Sequence, residues 1–128
     1  MNPARTTLLS AALLLSACAT ASSPPPADPT AAVDAFLSEL HVAPASAADF
    51  TAYCEASHQR LSALRTQLEG PGPNTIENAF APFDAIYKLG SSTYGEANLV
   101  TETNPNADIR AAAEQCQQRL SNFFTEIG

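Results

Sequence analysis

The chain is short of positive charge: among its 128 residues, 6 Lys and Arg stand against 13 Asp and Glu, a formal charge of −7. So few cations exclude nucleic acid and anionic lipid headgroups as partners, because both are held by basic patches. Solubility is the simplest reason for the acidity. Tryptophan is absent, and the two histidines, His41 and His58, form no His-Glu-x-x-His pair. The helical zinc-hydrolase signature is therefore missing. No glycine-rich phosphate loop, strand pair or internal repeat is present. The apolar run Leu8 to Leu15 is too short to span a bilayer.

What is present begins with an address. Met1 to Ala17 reads as an export signal, with Arg5 as the positive start and Leu8 to Leu15 as the apolar stretch. It ends in Leu15-Ser16-Ala17-Cys18, which resembles the bacterial lipoprotein signal, Leu-small-small-Cys. That resemblance implies cleavage before Cys18 and a lipid anchor on Cys18, at the periplasm-facing side of a bacterial envelope. Membrane attachment would then come from the lipid alone. The alternative is an ordinary signal peptide cut near Ala19 or Ala21. Removing residues 1–17 takes away Arg5 and no acid, so 5 basic and 13 acidic residues remain, a charge of −8. Residues 18–29 carry Pro24, Pro25, Pro26 and Pro29 and almost nothing to bury. They read as an extended, flexible tether before a helical domain over 30–128.

Within that domain, Thr30 to Leu40 places Val33, Phe36, Leu37 and Leu40 at helical spacing, and Pro44 ends the segment. Ser46 to Glu69 is the first long helix, striped by Phe50, Tyr53 or Cys54, Ser57, Leu61, Leu64 and Leu68, and stopped by Gly70-Pro71-Gly72-Pro73. Asn74, with Glu77 three residues on, predicts a capping box for a second helix. Its inner face is expected to be Ile76, Phe80, Phe83, Ile86 and Tyr87, with a kink at Pro82. Gly90 and Gly95 weaken the second half, so Ser91 to Thr103 reads as continued helix, with a loop as the alternative. Asn104 to Gly128 is the last helix, capped by Asn104 and striped by Ile109, Ala113, Cys116, Leu120, Phe123, Phe124 and Ile127. The expected fold is all-α: an antiparallel up-down-up bundle of three long helices preceded by a short one. A folded part of about 80 residues is marginal without a staple.

Cys54 and Cys116 are the candidate staple. Export places them in an oxidising compartment, and committing Cys18 to lipid leaves an even pair. Cys54 is 8 residues past Ser46 and Cys116 is 10 past Asn106, which puts them about 3 Å apart in height on parallel helices. The alternative is two reduced cysteines packed as small hydrophobes. Cys54, Glu55 and His58 share a helix face at metal-binding spacing but find no further ligands, so no metal site is assigned. Nor does a Cys54–His58 nucleophile pair have an orienting group. Asp84, Glu96, Glu102 and Asp108 read as solvated faces. The aromatic set Phe80, Phe83, Tyr87, Phe123 and Phe124 is most simply core, with a docking surface for a missing domain as the alternative.

The block Pro105-Asn106-Ala107-Asp108-Ile109-Arg110-Ala111-Ala112-Ala113-Glu114, with Arg119-Leu120-Ser121 after it and Thr75-Ile76-Glu77-Asn78 before it, resembles the N-terminal helical region of the thimet-oligopeptidase-like zinc metallopeptidases. That family includes oligopeptidase A and the dipeptidyl carboxypeptidases. The resemblance covers roughly Ser46 to Ile127 and implies a wall of a channel that admits short peptides. Zinc and catalysis would belong to a separate catalytic domain as partner, because no catalytic or metal-binding residue of the family has a counterpart in this chain. A free-standing helical lipoprotein that binds a partner is the other reading.

Overall fold

A computed structural model describes residues 28–127. The signal region, Cys18 and the tether up to residue 27 lie outside the described residues. Four α-helices pack together, and no strand occurs among the described residues.

Helix α1, Pro29–Phe36, starts inside what the sequence reads as tether. Asp28 caps it by accepting the Thr30 N–H at 3.0 Å, and Pro29 occupies the first turn, where no N–H is needed. It stops before the expected Leu40 because the N–H and hydroxyl of Ser38 both turn back to the Ala35 carbonyl, at 3.3 and 2.7 Å. Leu40, expected on the apolar stripe, is exposed.

Helix α2, Ala47–Leu68, is capped by the Ser46 hydroxyl on the Asp49 N–H and buries Phe50, Tyr53, Cys54, Ser57, Leu61 and Leu64. After the Gly70 to Pro73 stop, Thr75 rather than Asn74 caps the next segment, accepting the Asn78 N–H at 3.2 Å. Asn78 sends its own side-chain amide back to the Pro73 carbonyl, which braces the turn from the other side. The Thr75 hydroxyl and the residue's own N–H hold the Glu77 carboxyl below its usual range, the backbone group having the larger effect.

Pro82 does not bend one continuous helix. It lies in the first turn of α3, Ala81–Thr103, behind a π-helical turn, Ile76–Phe80. The wider turn accommodates the hydrogen bond that a proline cannot donate. Helix α3 then runs unbroken through Gly90 and Gly95. Helix α4, Ala107–Ile127, begins later than the sequence suggests, because Asn106 is its cap and accepts the N–H groups of Asp108 and Ile109. Asn104 ends α3 instead, and its side chain accepts the Asn106 N–H to close the connection.

The core gathers Val33, Phe50, Leu61, Leu64, Ile86, Leu89, Val100, Ala113 and Leu120 from all four helices. Cys54 and Cys116 are joined as a disulfide, with Cα atoms 5.7 Å apart across a 62-residue separation. Further pairs climb α2 and α4 together: Glu55 with Arg119, His58 with Phe123, Arg65 with Glu126. The Arg119 guanidinium, with Gln59, holds the Glu55 carboxyl below its ordinary range.

Candidate docking face

Helix α3 carries two apolar stripes, and the aliphatic one is buried. Pro82, Ala85, Ile86, Leu89, Gly90, Thr93, Ala97 and Val100 face the core. Of the inner face expected from sequence, only Ile86 is there. Ile76, Phe80, Phe83 and Tyr87 point outward, 71, 65, 52 and 65% exposed, and Tyr94 continues their line at 43%. At about 100° per residue, the two stripes are centred roughly 120° apart around one helix.

The reason for the choice lies in the neighbours. Helix α3 packs against α1, α2 and α4, and close approach on several sides favours small and aliphatic side chains. Gly90 is the clearest instance: a Cβ there would come within 2.2 Å of the Phe124 ring, which lies across it. The inner stripe also persists to Val100, whereas the aromatic line ends at Tyr94. That longer run is the sequence signal for which side is the core.

The exposed stripe carries two hollows. One, about 480 Å³, is walled by Leu68, Ile76, Ala79, Phe80 and Phe83. The other, about 620 Å³, has a floor of Gly90, Ser91 and Gly95 and walls of Tyr87, Tyr94 and Phe124. A Cβ on Gly95 would meet nothing within 4 Å, so the floor is open at that end, while Phe124 covers it at Gly90. Lys88 flanks the stripe in an ion pair with Asp34, which raises its pKa. Phe123 is core and Phe124 half-buried, so the aromatic set divides between interior and surface.

On the far side of the core sits a polar cluster that the sequence reading did not find. The Tyr53 hydroxyl donates to Thr93 Oγ1 at 3.4 Å, Thr93 to Ser57 Oγ at 3.2 Å, and Ser57 to the Tyr53 carbonyl at 3.1 Å. Burial pushes the Tyr53 hydroxyl up to about 12, against the opposing pull of its Thr93 hydrogen bond. His41 and Phe36 both stack on Tyr53, with ring centroids 3.9 and 5.5 Å away, and the Arg60 guanidinium lies over the Phe36 ring. Glu96, read from sequence as solvated, is largely buried and accepts the His41 backbone N–H at 2.9 Å. This cluster pins the segment between α1 and α2 to α3. It offers no nucleophile with a base and an open position for a substrate.

Cys54 is consumed by the bridge to Cys116, Glu55 pairs with Arg119, and His58 stands edge-on to Phe123. The Cys54, Glu55, His58 face therefore has no free thiolate for a metal. Among the described residues, no group of three or more His, Cys, Asp or Glu is arranged to hold one. No described helix is long and apolar enough to cross a membrane. Comparisons with protein families, with characterised proteins and with solved structures find no match to this chain.

Proposed function

We propose that this chain is an exported, lipid-anchored binding module whose partner docks on the outer stripe of α3. One observation carries the reading: Ile76 and Phe80 of the π-helical turn, with Phe83, Tyr87 and Tyr94 of α3, form an exposed apolar line while α3 buries a separate stripe. With aromatic side chains carrying about 150–250 Å² each, that line presents on the order of 600 Å². An exposed patch of this size on a small domain marks an interaction site. We further propose that the module is an up-down-up bundle of three long helices. Pairs such as Glu55–Arg119 and Arg65–Glu126 that rise together on α2 and α4 support this, as does Gln117 of α4 meeting Asn98 of α3. Anchoring through Cys18 rests on Leu15-Ser16-Ala17-Cys18.

A photo-crosslinking residue in place of Tyr87, in cells, tests the docking face. The expected result is a crosslink to an identified protein, lost on Phe83→Ser, with none from the same residue at Thr51, exposed on α2. Equal labelling from both positions contradicts the reading. The peptidase resemblance supplies a second reading, in which a zinc-bearing catalytic domain covers this face and holds the short peptides. The segment Thr75-Ile76-Glu77-Asn78, which carries part of that resemblance, forms the first end of the stripe. A crosslinked peptide from a chain containing His-Glu-x-x-His is the outcome that reading requires.

A further inference from the structure

The two hollows on the outer stripe are built to one pattern. The first has Ile76, Ala79, Phe80 and Phe83 among its walls, and the second Tyr87, Gly90, Ser91 and Tyr94. Each set steps by three, four and seven residues from its first member. That diamond is the hole in which one helix accepts a side-chain knob from another. Between the two, Phe80, Phe83, Asp84 and Tyr87 repeat the same spacing. At the Gly90 corner, the Phe124 ring supplies the wall that glycine lacks. Ile76 to Tyr87 is 11 residues. A helix docked along this seam therefore needs anchors at n, n+4, n+7 and n+11, the outer two about 16 Å apart.

Charge decides what such a helix carries beside its anchors. Asp84, one position past Phe83, stands on the border of the seam toward α1, in a recess shared with Asp34 and Lys88. Lys88 is already paired with Asp34. Glu77, exposed beside Ile76, stays ionised because its own N–H and the Thr75 hydroxyl hold its carboxyl below the usual range. On the border toward α4, the second hollow is closed by Ser121 and Phe124, which carry no charge. No described cation is left to answer these carboxylates: Arg65 and Arg119 pair with glutamates, and Arg60 and Arg110 with backbone carbonyls.

We infer that the partner docks an amphipathic helix bearing Lys or Arg, packed along α3 with apolar knobs in the two hollows and a cation against Asp84. The inference rests on the docking-face reading above and names the chemistry of its partner. Buried knobs supply most of the affinity, whereas charges flanking the seam set orientation and the choice of partner. An acidic helix with the same anchors meets Asp84 and Glu77 as like charges and is rejected. Opposite charges across the seam also mean that binding weakens as salt rises.

The test uses the full chain in cells, with a photo-crosslinking residue in place of Tyr94, a wall of the second hollow. The crosslinked peptide, identified by mass spectrometry, should carry apolar residues at steps of three and four with Lys or Arg beside them. Asp84→Lys should lower the yield roughly threefold or more, the scale of a surface ion pair lost and then reversed. Exchanging the partner's mapped cation for Glu should restore it. Ser91→Phe, which fills the second hollow from an exposed position, should abolish the crosslink while far-UV circular dichroism stays unchanged. A crosslinked peptide without cations, or a yield indifferent to Asp84→Lys, overturns the basic helix and leaves the docking face standing. A product joining two copies of this chain does the same. No crosslink from position 94 or position 87 defeats both.

Discussion

The two apolar faces of α3 differ in side-chain type more than in hydrophobicity. The inner one uses alanine, leucine, isoleucine, valine, threonine and a glycine; the outer one uses isoleucine, phenylalanine and tyrosine. Where three other helices crowd one helix, compact side chains win the interior, because each must fit a close-packed site. Aromatics left outside are not surplus core. They are large, rigid and low in conformational entropy, the properties that favour contact with a partner. Periodicity alone therefore identifies a helix but not which of two stripes is its core.

The largest way to break the comparison is to loosen the frame behind the inner face. Replacing Cys54 and Cys116 with alanine removes a bridge spanning 62 residues, which the chain-entropy model values at about 4 kcal/mol. Denaturant unfolding should show that loss, with the outer stripe's crosslinking preserved in whatever fraction stays folded. Leu89→Ala acts directly on the inner face, since Leu89 is fully buried. It should cost about 2–5 kcal/mol as a truncation in a packed core.

How much of this was legible beforehand follows from which signals are local. Ser46, the Gly70 to Pro73 stop and the stripes of α2 and α4 are encoded within a few residues, and the structure follows them. Caps slipped by one or two positions at Asn74 and Asn104, because Thr75 and Asn106 offer side-chain oxygens that serve as well. The outward turn of Phe80, Phe83 and Tyr87 left one trace in α3 itself, the greater length of its aliphatic stripe. It depends on α1, α2 and α4 crowding the aliphatic side, and on Phe124 lying over Gly90. Glu96 was misread for the same reason: its partner, the His41 N–H, is 55 residues away.

A smaller effect separates the two glycines. At Gly95 nothing stands in the way of a Cβ, so Gly95→Ala should raise the melting temperature through the ~1 kcal/mol helix preference of alanine. At Gly90 the same change drives a methyl into the Phe124 ring. Overpacking there, at about 1–3 kcal/mol, should cancel or exceed that gain. Equal stabilisation at both sites would mean that Phe124 does not seal the inner edge.

The central claim is that α3 folds with one stripe and binds with the other. Urea unfolding of Phe80→Ser/Tyr87→Ser beside Leu89→Ala tests it most directly. The account predicts that the outer double variant stays within about 0.5 kcal/mol of the parent chain, as exposed substitutions do. Leu89→Ala should lose several times more. A loss from the outer pair as large as that from Leu89→Ala would show that the aromatic stripe belongs to the core, and would contradict the account.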